Sequence, residues 1–273
     1  MDDVTVAAVC MNAGPGQIAR NLDRIQSLVS EAESKGAHLV CFPEFAVTGY
    51  VLTQPETVYK AIPQEETLRR LAHMARESNL VILVGLIEVS EGAPPHISQL
   101  IVGPEGRIGL YRKTHLSPME RGMYQPGDHI GVFAHGNRTF GVQLCYEAHF
   151  PEISTILAVM GAHILFMPHA SPRGNPAEKM KSWMRHLEAR AFDNGVFVVA
   201  CNQVGKSSQG LSFPGVAVIL GPDGRVLAQY GGEEEKVLTA DLKGKALDGV
   251  RHHRMKYFIP HRRPDLYRRL TDL

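Results

Sequence analysis

Thr139-Phe140-Gly141-Val142-Gln143-Leu144-Cys145-Tyr146-Glu147-Ala148-His149-Phe150-Pro151-Glu152 is the stretch on which the fold turns. An apolar, strand-like run stops abruptly at a thiol, and a helix-like run follows. A cysteine at such a corner projects out of the backbone, with the next amide N–H groups pointing the same way. That geometry suits a nucleophile beside an oxyanion site. Taken alone, the same residue fits a buried, inert thiol at a strand end equally well.

Two further stretches weigh on that choice. Cys41-Phe42-Pro43-Glu44-Phe45 puts a carboxylate directly after an apolar strand, and Tyr111-Arg112-Lys113-Thr114-His115-Leu116 puts an amine after another. In layered α/β folds, strand ends are where sites assemble.

Apolar, β-branched runs recur along the chain with helical patterns between them. Val4–Cys10 reads as a strand. Ile18, Leu22, Ile25, Val29 and Ala32 mark one face of a helix that Gly36 closes. A short strand over 37–42, a helix over 64–79 with Leu68, Leu71, Ala72 and Ala75 inward, and a continuous apolar strand over 80–87 come next. Residues 97–102 and 107–111 form a hairpin around Gly103-Pro104-Glu105-Gly106. Residues 216–220 and 225–230 repeat it around Gly221-Pro222-Asp223-Gly224, a hint of internal duplication. Between the hairpins lie a strand over 139–144, a helix over 151–160, a strand over 162–167, a helix over Pro176–Asn194 and a strand over 196–201. The Pro176–Asn194 helix carries Asn175 as N-cap, Pro176 at its first position, Glu178 for a capping box and Gly195 at its end. A last short strand spans 237–241. Alternating elements with antiparallel hairpins predict a mixed α/β protein of two or four layers.

The 273 residues are 44% hydrophobic and 21% charged, with a net charge of +1. That balance is ordinary for a globular domain and gives no reason to expect nucleic acid or an anionic membrane as partner. No apolar run approaches a membrane span, and the acidic start enters a strand at once. Cys10, Cys41, Cys145 and Cys201 form no CxxC pair, and the 13 histidines form no HExxH. These features predict a reduced, cytoplasmic protein with no disulfide framework, no metal site and no cofactor. One domain is expected over 1–273, with a C-terminal arm from about 244 whose stretch from Arg251 on is basic and irregular.

Phe42-Pro43-Glu44, Arg112-Lys113-Thr114-His115-Leu116, and Cys145-Tyr146-Glu147 followed by Phe150-Pro151-Glu152 together resemble the nitrilase superfamily of carbon–nitrogen hydrolases. Pro126-Gly127-Asp128, Glu188-Ala189-Arg190-Ala191 with Asn194, and Asn202 agree with it. The resemblance runs from Val4 to about Tyr267. It implies an α-β-β-α sandwich of two mixed sheets, and a homodimer or dimer-based oligomer formed through the helices over 151–160 and 176–194.

It also implies a chemistry. A free cysteine is mostly protonated at neutral pH and an amide carbon is a poor electrophile. Glu44 is expected to take the Cys145 proton and later to return one to the departing amine. Lys113 and the Tyr146 N–H are expected to stabilise the oxyanion. Glu120 occupies the place of a second glutamate that orients the lysine, with Arg121 a candidate partner. Tyr50, Glu147, His149 and His169 are candidates for lining the pocket or bracing the elbow. His115 reads as structural. Trp183, Met180, Met184 and Leu187 read as core or subunit contact. The expected substrate is a small amide or carbamoyl compound. Cys145-Tyr146-Glu147-Ala148 departs from the Cys-Trp-Glu-Asn pattern of true nitrilases. His149 stands where the ω-amidase branch carries an arginine. Nitrile hydrolysis or acyl transfer by the same triad, and a non-catalytic scaffold with this fold, are the alternatives.

Overall fold

The computed structural model describes residues 1–51, 64–90, 92–207 and 210–271. β1 (Val4–Cys10), α1 (Ile18–Ser34), β2 (Leu39–Cys41), α2 (Gln64–Ser78), β3 (Val81–Ser90), β4 (Ala93–Gly103) and β5 (Gly106–Arg112) form the first half. The second half begins with β6 (Val132–His135), β7 (Arg138–Val142), α3 (Pro151–Val159), β8 (Ile164–Pro168), α4 (Pro176–Asn194) and β9 (Phe197–Cys201). A two-residue ribbon, β10 (Gly205–Lys206) and β11 (Ser212–Phe213), then leads into β12 (Gly215–Leu220) and β13 (Val226–Gly232). β14 (Lys236–Leu242) and α5 (Gly244–Arg251) follow.

Two six-stranded mixed sheets result, ordered β14-β1-β2-β3-β4-β5 and β13-β12-β9-β8-β7-β6. Strands with period-2 burial on both faces build the layers. In β1, Val4, Val6, Ala8 and Cys10 face the other sheet, while Ala7 and Val9 face α1 and α2. In β9, Phe197, Val199 and Cys201 point inward, and Val198 and Ala200 point to α3 and α4. The core between the sheets and the two helix-covered outer faces make the expected four-layer α-β-β-α sandwich.

The hint of duplication has a structural counterpart. From β14 the first sheet pairs antiparallel, parallel, parallel, antiparallel, antiparallel. From β6 the second sheet repeats that order. The two Gly-Pro-x-Gly turns join β4 to β5 and β12 to β13, at matching places. Glu44, after β2, therefore has its counterpart in the segment after β8, which also enters the site.

Local punctuation is as expected at α4. Asn175 accepts from the Glu178 N–H, Glu178 returns a bond to Asn175, and Gly195 is left-handed. Other elements differ. α2 buries Thr67, Leu71, Met74, Ala75 and Ser78, and Leu68 and Ala72 are only partly covered. A polar residue can join the buried face because Ser78 donates to the Met74 carbonyl at 2.7 Å. β7 ends at Val142, not 144, because Leu144 gives its N–H to the Glu147 carboxylate and not to a strand. β6 has no clear sequence signature. The C-terminal arm opens with α5, whose Arg251 donates to the carbonyls of Gly195 and Ala162. No helix among the described residues is long and apolar enough to cross a membrane.

Candidate active site

Glu44 sits in the turn after β2, fully buried. Its position depends on Gly85 of β3. A Cβ there would lie 2.4 Å from the Phe45 nitrogen and 2.5 Å from the Pro43 carbonyl oxygen. Only a residue without a side chain lets the neighbouring strand press against this turn. The Gln203 side-chain amide donates to the Glu44 carbonyl at 2.9 Å, and Gln99 donates to the Phe42 carbonyl at 3.2 Å.

Lys113 leaves the end of β5. Its N–H donates to the Ile97 carbonyl, and its own carbonyl accepts from Gly127 at 2.7 Å. A Cβ at 127 would meet the Arg112 carbonyl oxygen at 2.5 Å, which explains the glycine of Pro126-Gly127-Asp128. The Lys113 ammonium is buried between two carboxylates, 2.8 Å from Glu44 Oε1 and 2.7 Å from Glu120 Oε1. Glu120 Oε2 accepts from the Ser117 N–H at 2.7 Å. Arg121 does not pair with Glu120; it is exposed, and Lys113 takes that place.

Cys145 approaches from the other sheet. It has φ +45° and opens a short 3-10 turn, Cys145–His149. A non-glycine residue in the left-handed region is strained, and such strain is found where a side chain must be aimed. The turn also leaves its first N–H groups, including that of Tyr146, without partners inside the turn.

Glu147 explains how the two halves are held in register. Its Oε1 accepts from Tyr111 Oη, the Thr114 N–H and Thr114 Oγ1 at 2.6–2.7 Å, and from the His115 N–H at 3.3 Å. Its Oε2 accepts from the Leu144 N–H at 2.7 Å. One buried carboxylate thus ties the residue after Lys113 to the residue before Cys145. Glu147 does not line the pocket.

The electrostatics follow from burial. Desolvation pushes the Glu44 carboxyl up to about 7; Lys113 opposes the rise and Glu120 adds to it. Burial acts to lower the Lys113 pKa, but Glu44 and Glu120 more than offset it and hold the ammonium above its ordinary value. Burial, then the charge of Glu44, drives the Cys145 thiol well up in spite of Lys113, so the resting sulfur is protonated.

A cavity of about 300 Å³ opens onto Cys145, Tyr146, Glu120, Tyr50 and His169. Glu44 and Lys113 lie behind this lining. Tyr50 is held edge-on against Phe45 and Phe213. His169 is buried, stacks on Trp183 with ring centres 4.1 Å apart, and points Nδ1 at the Met167 carbonyl at 2.7 Å. Burial keeps its pKa well below the usual value. Because a carbonyl only accepts, Nδ1 carries the proton of the neutral ring. His149 is exposed at the rim, 4.8 Å from the His186 ring. His115 stacks on Phe150, a structural place. A separate cavity of about 240 Å³, lined by Ile18, Leu68 and Leu86 among others, includes none of these site residues.

The residues that sequence reading missed include four from α4 and Arg173 just before it. Trp183, read as core or subunit contact, lines the pocket with Lys179, Ser182 and His186. Positions 179, 182, 183 and 186 share one helical face. That spacing, just after a strand that enters the site, is the signal that could have found them. Among the described residues no group of three His, Cys, Asp or Glu side chains could hold a metal ion.

Residues 5–251 match the family model of carbon-nitrogen hydrolases. A protein of Pyrococcus abyssi named nitrilase is 34% identical, over 97% of this chain and 99% of that protein. The tomato (Solanum lycopersicum) N-carbamoylputrescine amidase is 31% identical, over 99% and 95% of the two chains. Among solved structures, a variant of a Nesterenkonia amidase carries the acetamide moiety of fluoroacetamide added covalently at its active-site cysteine. It superposes with a TM-score of 0.82 at 25% identity, covering 97% of this chain and 96% of that one.

Proposed function

The chain belongs to the carbon–nitrogen hydrolase family, the nitrilase superfamily, and on that premise we propose that it cleaves the C–N bond of a small amide or carbamoyl compound through a thioester on Cys145. The observation that carries this reading is the buried Glu44–Lys113–Glu120 cluster, with Glu120 in the lining of the cavity into which Cys145 opens and the other two behind it.

The Cys145 sulfur attacks the carbonyl carbon as Glu44 takes the thiol proton. The carbonyl π electrons move onto oxygen, where the Lys113 ammonium and the Tyr146 N–H receive the charge. Collapse breaks the C–N bond, and Glu44 returns the proton to nitrogen, which leaves as ammonia or an amine. Glu44 then draws a proton from water as it attacks the thioester; the acid departs and the thiol is restored. Glu120 keeps the ammonium aimed.

A base must be unprotonated to act. With Glu44 lifted to about 7, kcat/KM rises with pH through a limb near neutrality and falls about tenfold per unit below it. Rate measurements from pH 5 to 9, with intact-protein mass spectra of the acylated enzyme, check both steps. The panel includes amides, carbamoyl compounds and nitriles, with hydroxylamine added to reveal acyl transfer. A flat profile down to pH 5, or an acyl mass on a residue other than Cys145, refutes the assignment.

The same reading places a homodimer across α3 and α4. Ile156 and Val159 on α3, Met160 at its C-terminal end and Phe192 on α4 are exposed apolar side chains. Light scattering is expected to give twice the 30.1 kDa chain mass, and Ile156→Asp with Val159→Lys to shift it toward the monomer. A wild-type monomer rejects the interface.

A further inference from the structure

The charges around the Cys145 cavity are one-sided. Arg173 and Lys179 line it, together with His149, His169 and His186. Burial, then His149 and Arg190, push His186 down to about 4, so the rim imidazoles add no charge at neutral pH. Among the described residues Glu120 is the acidic side chain of the lining, and both of its oxygens are taken, by Lys113 and by the Ser117 N–H.

Among the described residues, nothing neutralises Lys179 and Arg173. Lys179 Nζ donates to Ser171 Oγ at 2.8 Å and to the Pro172 carbonyl at 3.0 Å, both uncharged, which leaves one of its three donors. Among the described residues, neither cation has a carboxylate within ion-pair distance. Half-burial depresses the Lys179 pKa, and repulsion from Arg173 adds to the drop. Arg173 is exposed and screened by water, while Lys179 is half-buried; an anion entering the cavity meets both like charges.

The backbone holds this arrangement. Arg173 has φ +74°, and its N–H is fixed to the Ser212 carbonyl at 2.9 Å. Asn175 then caps α4, whose first turns carry Lys179. This fixes the main chain of Arg173 between a strand exit and a capped helix, at the rim of the Cys145 cavity that its side chain lines.

We propose that the substrate carries a carboxylate at the end remote from the scissile C–N bond, bound by Lys179 and Arg173. It is therefore a monoamide of a small dicarboxylic acid or an N-carbamoyl amino acid, and not an amide ending in an ammonium group. This inference rests on the amide-hydrolysis reading and deepens it.

Succinamate, butyramide and β-alaninamide share an amide and spacer but end in a carboxylate, a methyl and an ammonium group. N-Carbamoyl-4-aminobutyrate and N-carbamoylputrescine make a second matched pair. In wild type, kcat/KM for each anionic member is expected to exceed that for its cationic counterpart by at least about 100-fold. Arg173→Gln and Lys179→Gln are each expected to reduce the succinamate-to-butyramide ratio by about 10–100-fold, and Arg173→Glu to shift preference toward the ammonium member. Arg173 makes no side-chain hydrogen bond among the described residues, so its variants are the decisive ones should Lys179→Gln disturb the loop. Equal or faster turnover of the cationic members, with acyl mass on Cys145, overturns the inference and leaves the amidase reading standing. An unmoved ratio in the Arg173 variants also overturns it. No acylation of Cys145 by any member overturns both.

Discussion

Cys145→Ala is expected to lower kcat for amide hydrolysis by about 10⁴–10⁶-fold while the thermal midpoint stays within a few degrees of wild type. The first half follows from what is left behind. Glu44, Lys113 and Glu120 keep their mutual bonds, which do not involve the sulfur. Substrate and oxyanion sites survive, but no atom remains to form the acyl intermediate, and water must attack the amide directly. The second half follows from the turn. Alanine meets the same left-handed strain at φ +45° as cysteine does, and a half-buried sulfur contributes little to the core. Ammonia release in a coupled assay, beside a melting curve, reads both. A variant as fast as wild type ends the nucleophile assignment; an unfolded variant is recognised by its melt.

Glu147→Ala has the largest expected effect on stability, a loss of about 3–5 kcal/mol. The carboxylate is fully buried and accepts from three backbone N–H groups and two hydroxyls. Removing it strands the Leu144 and Thr114 amides and the Tyr111 hydroxyl, at about 1–3 kcal/mol each, less whatever water regains. Because the same side chain joins the Lys113 exit to the Cys145 turn, kcat falls as well. Urea denaturation and steady-state kinetics separate the roles. A brace lowers stability and kcat together, whereas a substrate ligand raises KM with stability intact. The second pattern would make Glu147 part of the binding site.

Much of the fold was legible because its signals are local. Val4–Cys10 and Pro176–Asn194 were delimited by burial period and by capping chemistry. The paired Gly-Pro-x-Gly turns pointed to a duplication that reappears in the pairing order of both sheets. Less legible were short edge strands such as β6, which have little periodicity, and the buried face of α2. There, a serine bonded to its own helix takes a core position that hydropathy would deny it. Glu44, Lys113 and Cys145 stood out because each is a reactive group at the end of an apolar run. Trp183 and Lys179 did not, since a helix face shows from its sequence that it is covered, but not by what.

What the sequence determined by itself is where the strands end and which reactive side chains stand there, since caps, turns and residue periodicity act over a few neighbours. Only the tertiary structure decided that one ammonium lies between two carboxylates, one of them 69 residues away. It also decided that Glu147 locks the two sheets together and that Arg173 and Lys179 share the Cys145 cavity. Those meetings depend on strand pairing and on the packing of one sheet against the other. They are long-range outcomes of burying a common core, and no local stretch of residues encodes them.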